Sequence, residues 1–126
     1  EFPNLQGIMG YYYALKSGKS QEIAAAIRDH YKPQGPSDKV PEGAAAIVAV
    51  ADKIDSLCGL MLAGERATGS GDPFGLRRLA LGIIRILSFE NEKDGRIEGS
   101  IHSLGILNLV NSSCHRYQDV VNYKKE

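Results

Sequence analysis

Apolar residues recur at three-and-four spacing along most of this chain, and polar or glycine-rich stretches separate the segments that carry the pattern. This spacing places apolar side chains on one face of a helix. The first such segment, which Ser17 and Gly18 interrupt, contains Leu5, Ile8, Met9, Tyr12 and Tyr13. Ser20 is a favoured N-cap for a second helix, and that helix must end before Pro33 because proline disfavours helical backbone at the preceding residue.

The next two stretches are predicted to be a connection and a long central helix. Residues 33–41 contain three prolines and a glycine, a composition typical of an exposed loop. From Glu42 to about Ala63 the chain is apolar and rich in alanine and glycine, small residues that let neighbouring helices approach closely. We expect this helix to be the most buried one.

A fourth helix is predicted from Pro73 to about Phe89. Asp72 precedes it as an N-cap and Pro73 occupies its first turn, an order that favours helix initiation. Its apolar positions are Leu76, Leu79, Ala80, Ile83, Ile84 and Leu87. A polar stretch over residues 91–99 then indicates a loop. A last helix is indicated by Leu104, Leu107, Val110 and Cys114.

The fold class follows from these segments. No stretch alternates apolar and polar residues with the period of two that half-buried strands require. We therefore predict an all-α protein, a bundle of about five helices that forms a single domain over residues 1–126. The helical pattern is weakest over residues 90–126, where Gly105 and the Asn-Ser-Ser stretch at 111–113 interrupt it.

Composition narrows the class of protein. The 126 residues are 43% hydrophobic and 24% charged, with a formal net charge of zero, as in soluble globular proteins. Neutrality argues against a dedicated nucleic-acid module, but it leaves room for a local basic patch. Cys58 and Cys114 have no CxxC spacing, which indicates buried thiols in a reducing compartment.

The sequence also bears on location and completeness. The longest apolar run, residues 43–51, is far shorter than the roughly 20 residues that span a bilayer. We therefore expect a cytoplasmic protein with no membrane segment. The chain opens on Glu1, Phe2 and Pro3, without an initiator methionine or a signal-peptide pattern, so we expect it to be a fragment of a larger protein.

Two carboxylates on the central helix form the first candidate site. Asp52 and Asp55 are three positions apart and so share a helix face, where such a pair can bind a divalent cation or exchange protons. Pairs of this kind are more often a solvated helix edge, and no HExxH motif or second acidic cluster lies nearby in the sequence.

A group of arginines on the fourth helix forms the second candidate site. Arg77, Arg78 and Arg85, with Lys53 from the central helix, are candidates for contacts to RNA phosphates. Arg78 and Arg85 are seven positions apart and share a face, whereas Arg77 points about 100° away, so we expect Arg78 and Arg85 to act together. The competing interpretation is that these side chains form ion pairs inside the domain.

Two further segments invite a binding interpretation. The glycine-rich stretch 64–75 leads into a helix, but it lacks the Lys-Ser or Lys-Thr of a phosphate-binding loop. The run Tyr11 to Tyr13 can stack on unpaired RNA bases. Helical spacing should turn one or two of these rings inward, which favours core packing for the run.

These same residues carry a family resemblance. The segments EFPNLQGIMGYYYA, VAVADKIDSLCGL and TGSGDPFGLRRLALGIIRI, with HYKP between the first two, resemble successive landmarks of the bacterial glycyl-tRNA synthetase β subunit. The resemblance covers roughly residues 1 to 89 and fades beyond Phe89. Two positions depart from the family's pattern, since Gly71 and Gly75 stand where the family often has lysine and alanine. The first removes a candidate phosphate contact, and the second should cost up to about 1 kcal/mol of helix stability.

The resemblance implies both a function and partners. It implies a part of the β subunit of a heterotetrameric glycine–tRNA ligase, which charges tRNA(Gly) with glycine in an ATP-dependent reaction. The α subunit would then carry the glycine and ATP chemistry, with Mg, and the β subunit would mainly engage tRNA. The expected partners are the α subunit, tRNA(Gly) and the remainder of the β subunit. We expect no cofactor, metal or catalytic residue in this fragment, which should aid tRNA binding or assembly.

The resemblance further implies a degenerate HD-type domain. In HD-type domains a metal is held by a histidine, a His-Asp pair and a final aspartate, and ADKID resembles the helix with that last ligand, here Asp52. The other ligands would lie upstream of Glu1, so Asp52 would be a vestige of the site and the fragment inactive alone. Two alternatives stay open, namely an active metal-dependent phosphohydrolase that uses Asp52 and Asp55, and a structural spacer.

Overall fold

The computed structural model describes residue 2, residues 5–92 and residues 105–123. These residues form five α-helices, α1 (Ile8–Lys16), α2 (Gln21–Asp29), α3 (Gly43–Leu62), α4 (Leu76–Glu92) and α5 (Ile106–Tyr123). No strand occurs in the described ranges, so the prediction of an all-α protein is confirmed. A single domain over residues 1–126 and the likeness to HD-type domains remain predictions.

Helix α3 is the centre of the bundle, as its composition predicts. It packs against α2, α4 and α5, while α1 packs against α2. The core joins Ala49, Val50 and Ile54 of α3 to Ile83 and Ile86 of α4. Small side chains on α3 permit this close packing on several sides, because little bulk separates the helix axes.

Helix α2 begins where its sequence predicts. The Oγ of Ser20 accepts a hydrogen bond from the backbone N–H of Ile23 at 3.3 Å, which satisfies one of the free N–H groups at the start of the helix. The helix ends at Asp29, and residues 30–32 lead into Pro33. The proline therefore limits the helix as expected.

Helix α4 begins three residues later than predicted, because a turn separates its capping residue from its first turn. The Asp72 carboxylate accepts the backbone N–H of Leu76 at 2.7 Å and that of Arg77 at 2.9 Å. The N–H of Gly75 donates to the Asp72 carbonyl at 3.1 Å, which closes a tight turn over residues 72–75. Asp72 thus caps the helix, as predicted, but Pro73 lies in the turn.

Helix α5 continues through the polar stretch that weakens its sequence pattern. The predicted apolar position Leu104 lies outside the described residues, and the helix runs from Ile106 to Tyr123. Ser113 is buried, and its hydroxyl donates to the Asp55 carboxylate of α3 at 3.1 Å. A polar residue is therefore accommodated in this helix because the facing helix supplies its partner.

The connection over residues 33–41 is less exposed than its composition suggests. Pro33, Val40 and Pro41 are buried. The Asp38 carboxylate accepts the backbone N–H groups of Gln34 at 2.7 Å and Gly35 at 3.2 Å, and these bonds lower the pKa of Asp38. The loop folds back on itself and covers part of the bundle. Among the described residues, no helix is both long and apolar enough to cross a bilayer.

Candidate functional site

The three arginines predicted as site residues line one cavity between α4 and the loop that follows α2. Its volume is about 620 Å³, within the range of small-molecule pockets. Its walls include Arg77, Arg78, Arg85, Pro33, Pro36 and Leu81. The loop residues and Leu81 were not predicted as site residues, since nothing in a single sequence indicates that a proline-rich loop packs against a helix 40 to 50 residues further along the chain.

Arg85 holds the loop that forms one wall of this cavity against α4. It is half-buried, and its guanidinium donates to the backbone carbonyls of Gly35 at 2.6 Å and Asp38 at 2.9 Å. Two such charge-assisted bonds hold the loop against α4. Arg78 and Arg85 both line the cavity, but Arg85 is bonded to the loop, and their joint action on RNA phosphates stays a prediction.

Arg77 fastens the other side of the cavity. The side chain is exposed, and its Nη2 donates a hydrogen bond to the carbonyl of Thr68 in the glycine-rich stretch before α4. The N–H of Thr68 in turn donates to the carbonyl of Gly71 at 2.8 Å. Arg77 therefore contacts a backbone carbonyl rather than one of the carboxylates that the competing interpretation assigned to it.

Arg78 differs from Arg77 and Arg85 because its guanidinium has no hydrogen-bond partner among the described residues. It is exposed, and it makes no hydrogen bond or ion pair with another residue in the part of the chain that the structure describes. Its guanidinium lies over Gly75, so close that a Cβ at that position would come within 2.7 Å of Nη2. All of its N–H donors are therefore available to a ligand at the mouth of the cavity.

Gly75 supports this arrangement in a way the sequence did not predict. Its φ is 69°, in the left-handed region that side chains with a Cβ rarely adopt. The expected loss of helix stability relative to alanine is wrong, because Gly75 precedes the helix rather than lying within it. Glycine at this position is favourable for the turn and leaves room for Arg78.

Asp72 adds a negative charge to the cavity wall. Hydrogen bonds from the backbone N–H groups of Arg77 and Leu76 lower the pKa of its carboxyl, so it is ionised at neutral pH. The charges of Arg77 and Arg78 also lower this pKa, so groups of both signs lie side by side at the start of α4.

Lys53, the fourth predicted phosphate contact, lies in the interior. Its exposed fraction is 3%, and its Nζ donates to the carbonyls of His30 at 3.1 Å and Tyr31 at 3.2 Å. Burial lowers the pKa of its ammonium group. This geometry favours a structural role for Lys53, which anchors the end of α2 to α3. In the sequence, the only indication of that burial was the position of Lys53 in an apolar helix.

The two carboxylates of the first candidate site have separate surroundings. Asp52 is exposed, whereas Asp55 accepts hydrogen bonds from the side chains of Ser113, Arg116 and Tyr117 on α5, the last two at 2.7 and 2.8 Å. The bond to Asp55 raises the pKa of the Tyr117 phenol. Within the described ranges no three metal-ligating side chains come together.

The first helix turns a different face inward from the one that its spacing predicted, because Leu5, Ile8, Met9, Tyr12 and Tyr13 are all exposed. Tyr11 is half-buried and stacks edge-on against Tyr12 at 5.3 Å, while Tyr12 and Tyr13 are exposed. One ring of the three thus packs against the protein. Cys58 is buried and Cys114 half-buried, both as free thiols, and burial raises the pKa of Cys58.

Comparisons with known proteins agree on one family. The family model described as glycyl-tRNA synthetase beta subunit matches residues 1–121. Among the relatives, the glycine–tRNA ligase beta subunit of Rickettsia canadensis (strain McKiel) is 56% identical over 126 residues, which is 100% of this chain and 17% of the relative. That of Rickettsia africae (strain ESF-5) is 60% identical over 119 residues, or 94% of this chain and 16% of the relative.

A third relative has the same name. It comes from Rickettsia akari (strain Hartford) and is 63% identical over 109 residues, which is 86% of this chain and 16% of the relative. The chain therefore spans 16% to 17% of the length of these three curated relatives.

Proposed function

This chain belongs to the glycyl-tRNA synthetase β-subunit family, and from that premise we propose that it is part of the β subunit of a glycine–tRNA ligase, in which the start of α4 binds tRNA phosphates. The complete enzyme charges tRNA(Gly) with glycine in an ATP-dependent reaction. An α subunit supplies the glycine, ATP and Mg chemistry. This part of the β subunit contributes binding and no chemistry of its own.

The observation that supports this proposal is the free guanidinium of Arg78 at the mouth of an open cavity, next to Arg77. The other arginines in the described ranges form ion pairs or hydrogen bonds within the protein. Arg28 pairs with Asp29, Arg116 pairs with Asp55, and Arg66, Arg77 and Arg85 donate to backbone carbonyls. A guanidinium fork matches two phosphate oxygens, so a free, exposed arginine beside a second one suits the RNA backbone.

Salt dependence of tRNA binding tests the proposal in the full-length protein. We expect Arg78→Ala to weaken tRNA affinity and to reduce the slope of log affinity against log salt by roughly one unit, because one phosphate contact is lost. Lys16→Ala is the matched control, since Lys16 is exposed on α1 and does not line the cavity. Glycine activation, assigned to the α subunit, should be unchanged in both variants.

A structural spacer is the competing function, and the internal bonds of Lys53 and Arg85 favour it. That role predicts a different result for the same variants. If Arg78→Ala has the affinity and salt slope of the Lys16→Ala control, the phosphate contact does not exist and the spacer role replaces it. Adding Arg85→Ala to Arg78→Ala should weaken binding further, because the loop wall is then also released from α4.

A further inference from the structure

The cavity beside Arg78 has apolar residues both on the loop and on α4, which a site for phosphates alone does not require. Pro33 and Pro36 form one wall, and Leu81, whose exposed fraction is 60%, stands on the opposite side. Two buried glycines, Gly75 and Gly82, also line it, and the place of a Cβ is taken by Arg78 at the first and by Lys53 and the loop at the second.

The walls are held in place without a ligand. Gly82 lets α4 approach the loop, since a Cβ there would lie 3.3 Å from the carbonyl oxygen of Pro33 and 3.0 Å from Cε of Lys53. Arg85 then fastens the loop through Gly35 and Asp38. A preformed cavity binds a ligand without first paying the entropy of ordering its walls.

Groups of both signs line the cavity near the start of α4. Arg77 and Arg78 are exposed and suit an anion, whereas the ionised Asp72 repels an anion placed against it. Each Asp72 oxygen accepts one backbone N–H and retains capacity for another donor. The ligand that fits is therefore a flat, neutral group with N–H donors, joined to a phosphate at the rim.

We propose that this cavity receives the base of an unpaired nucleotide of the bound RNA, whose phosphate lies on Arg78. The inference rests on the proposed function and adds to it. Pro33, Pro36 and Leu81 contact the faces of the base, and Asp72 accepts a hydrogen bond from its edge. A base inside a duplex is stacked on its neighbours and cannot enter, so the site selects unpaired RNA.

Binding of short RNA probes to the full-length protein tests this inference. The probes are a single-stranded oligonucleotide and a blunt duplex with the same number of phosphates. We expect Leu81→Ser to weaken single-strand binding by roughly fivefold to tenfold, at the low end of what contacts to one base contribute. Duplex binding and the salt slope should stay as in the unaltered protein. A mononucleotide should compete with the single strand only weakly, because it lacks the flanking phosphates.

The control is Ile84→Ser on the same helix, where the exposed fraction is 54% and the side chain does not line the cavity. Equal effects of the two substitutions on the single strand would overturn the inference, as would equal affinity of the unaltered protein for the two probes. If Arg78 does not contact a phosphate, the Arg78→Ala variant will have an unchanged salt slope with both probes. That result contradicts the proposed function and is distinct from the results that overturn the base site.

Discussion

Asp55 on α3 and Arg78 on α4 are both charged residues on helices of the bundle, yet their surroundings are opposite. Asp55 faces α5 and accepts three side-chain hydrogen bonds from it. Arg78 faces the mouth of a cavity and has no hydrogen bond or ion pair with any described residue. Asp55 therefore links two helices, whereas Arg78 is open to a ligand.

The sequence around a charged helical residue does not show whether that residue already has a partner in the fold. The partners of Asp55 lie 58 to 62 positions along the chain, so its own segment gives no indication that it is occupied. A charge becomes a candidate for binding when the fold leaves its hydrogen-bonding capacity unused. By that criterion Arg78 is the best candidate among the described arginines, and Arg85 and Lys53 position the surrounding structure.

The largest expected effect is a loss of stability when Asp55, the carboxylate bonded to α5, is replaced. Asp55→Ala removes the common acceptor of three donors, one of which is the buried Ser113 hydroxyl. We expect the free energy of opening of α5 to fall by about 2 kcal/mol, measured by native-state hydrogen exchange of α5 peptides. Asp52→Ala, at an exposed position on the same helix, should change it by no more than about 0.5 kcal/mol. Equal effects would remove the distinction between the two carboxylates.

A smaller loss of stability is expected when Asp72, the residue that caps α4 beside Arg78, is replaced. Asp72→Ala leaves the first N–H groups of α4 without their acceptor and should lower the thermal stability of this helix, while Asp72→Asn, which retains a capping oxygen, should lose less. The pKa of Asp72 is lowered in the folded state, so its contribution is present above its ordinary pKa of 3.8 and is lost as the pH falls below that value.

The measurement for this prediction is thermal unfolding of the two variants and the unaltered protein across the acidic range. The stability difference between the unaltered protein and Asp72→Ala should shrink as the pH falls through the lowered pKa. A difference that stays constant over this range would show that the Asp72 carboxylate does not cap α4 as a charged group.

The sequence predicted the helices well, because apolar spacing and capping residues act locally. It placed the cap at Ser20 and the capping role at Asp72 correctly. It missed the start of α4, since the turn over residues 72–75 depends on a left-handed Gly75. It also missed the burial of Lys53 and the wall formed by residues 33–36, because both depend on contacts between distant segments.

Site-specific photo-crosslinking in the full-length protein distinguishes an RNA contact at α4 from one at the α5 side of α3. A photoreactive residue replaces Leu81 at the cavity mouth or Ser112, which is exposed on α5. We expect bound tRNA to crosslink at position 81, and the Arg78→Ala substitution to reduce the yield. Crosslinking at position 112 with none at position 81 would contradict this expectation.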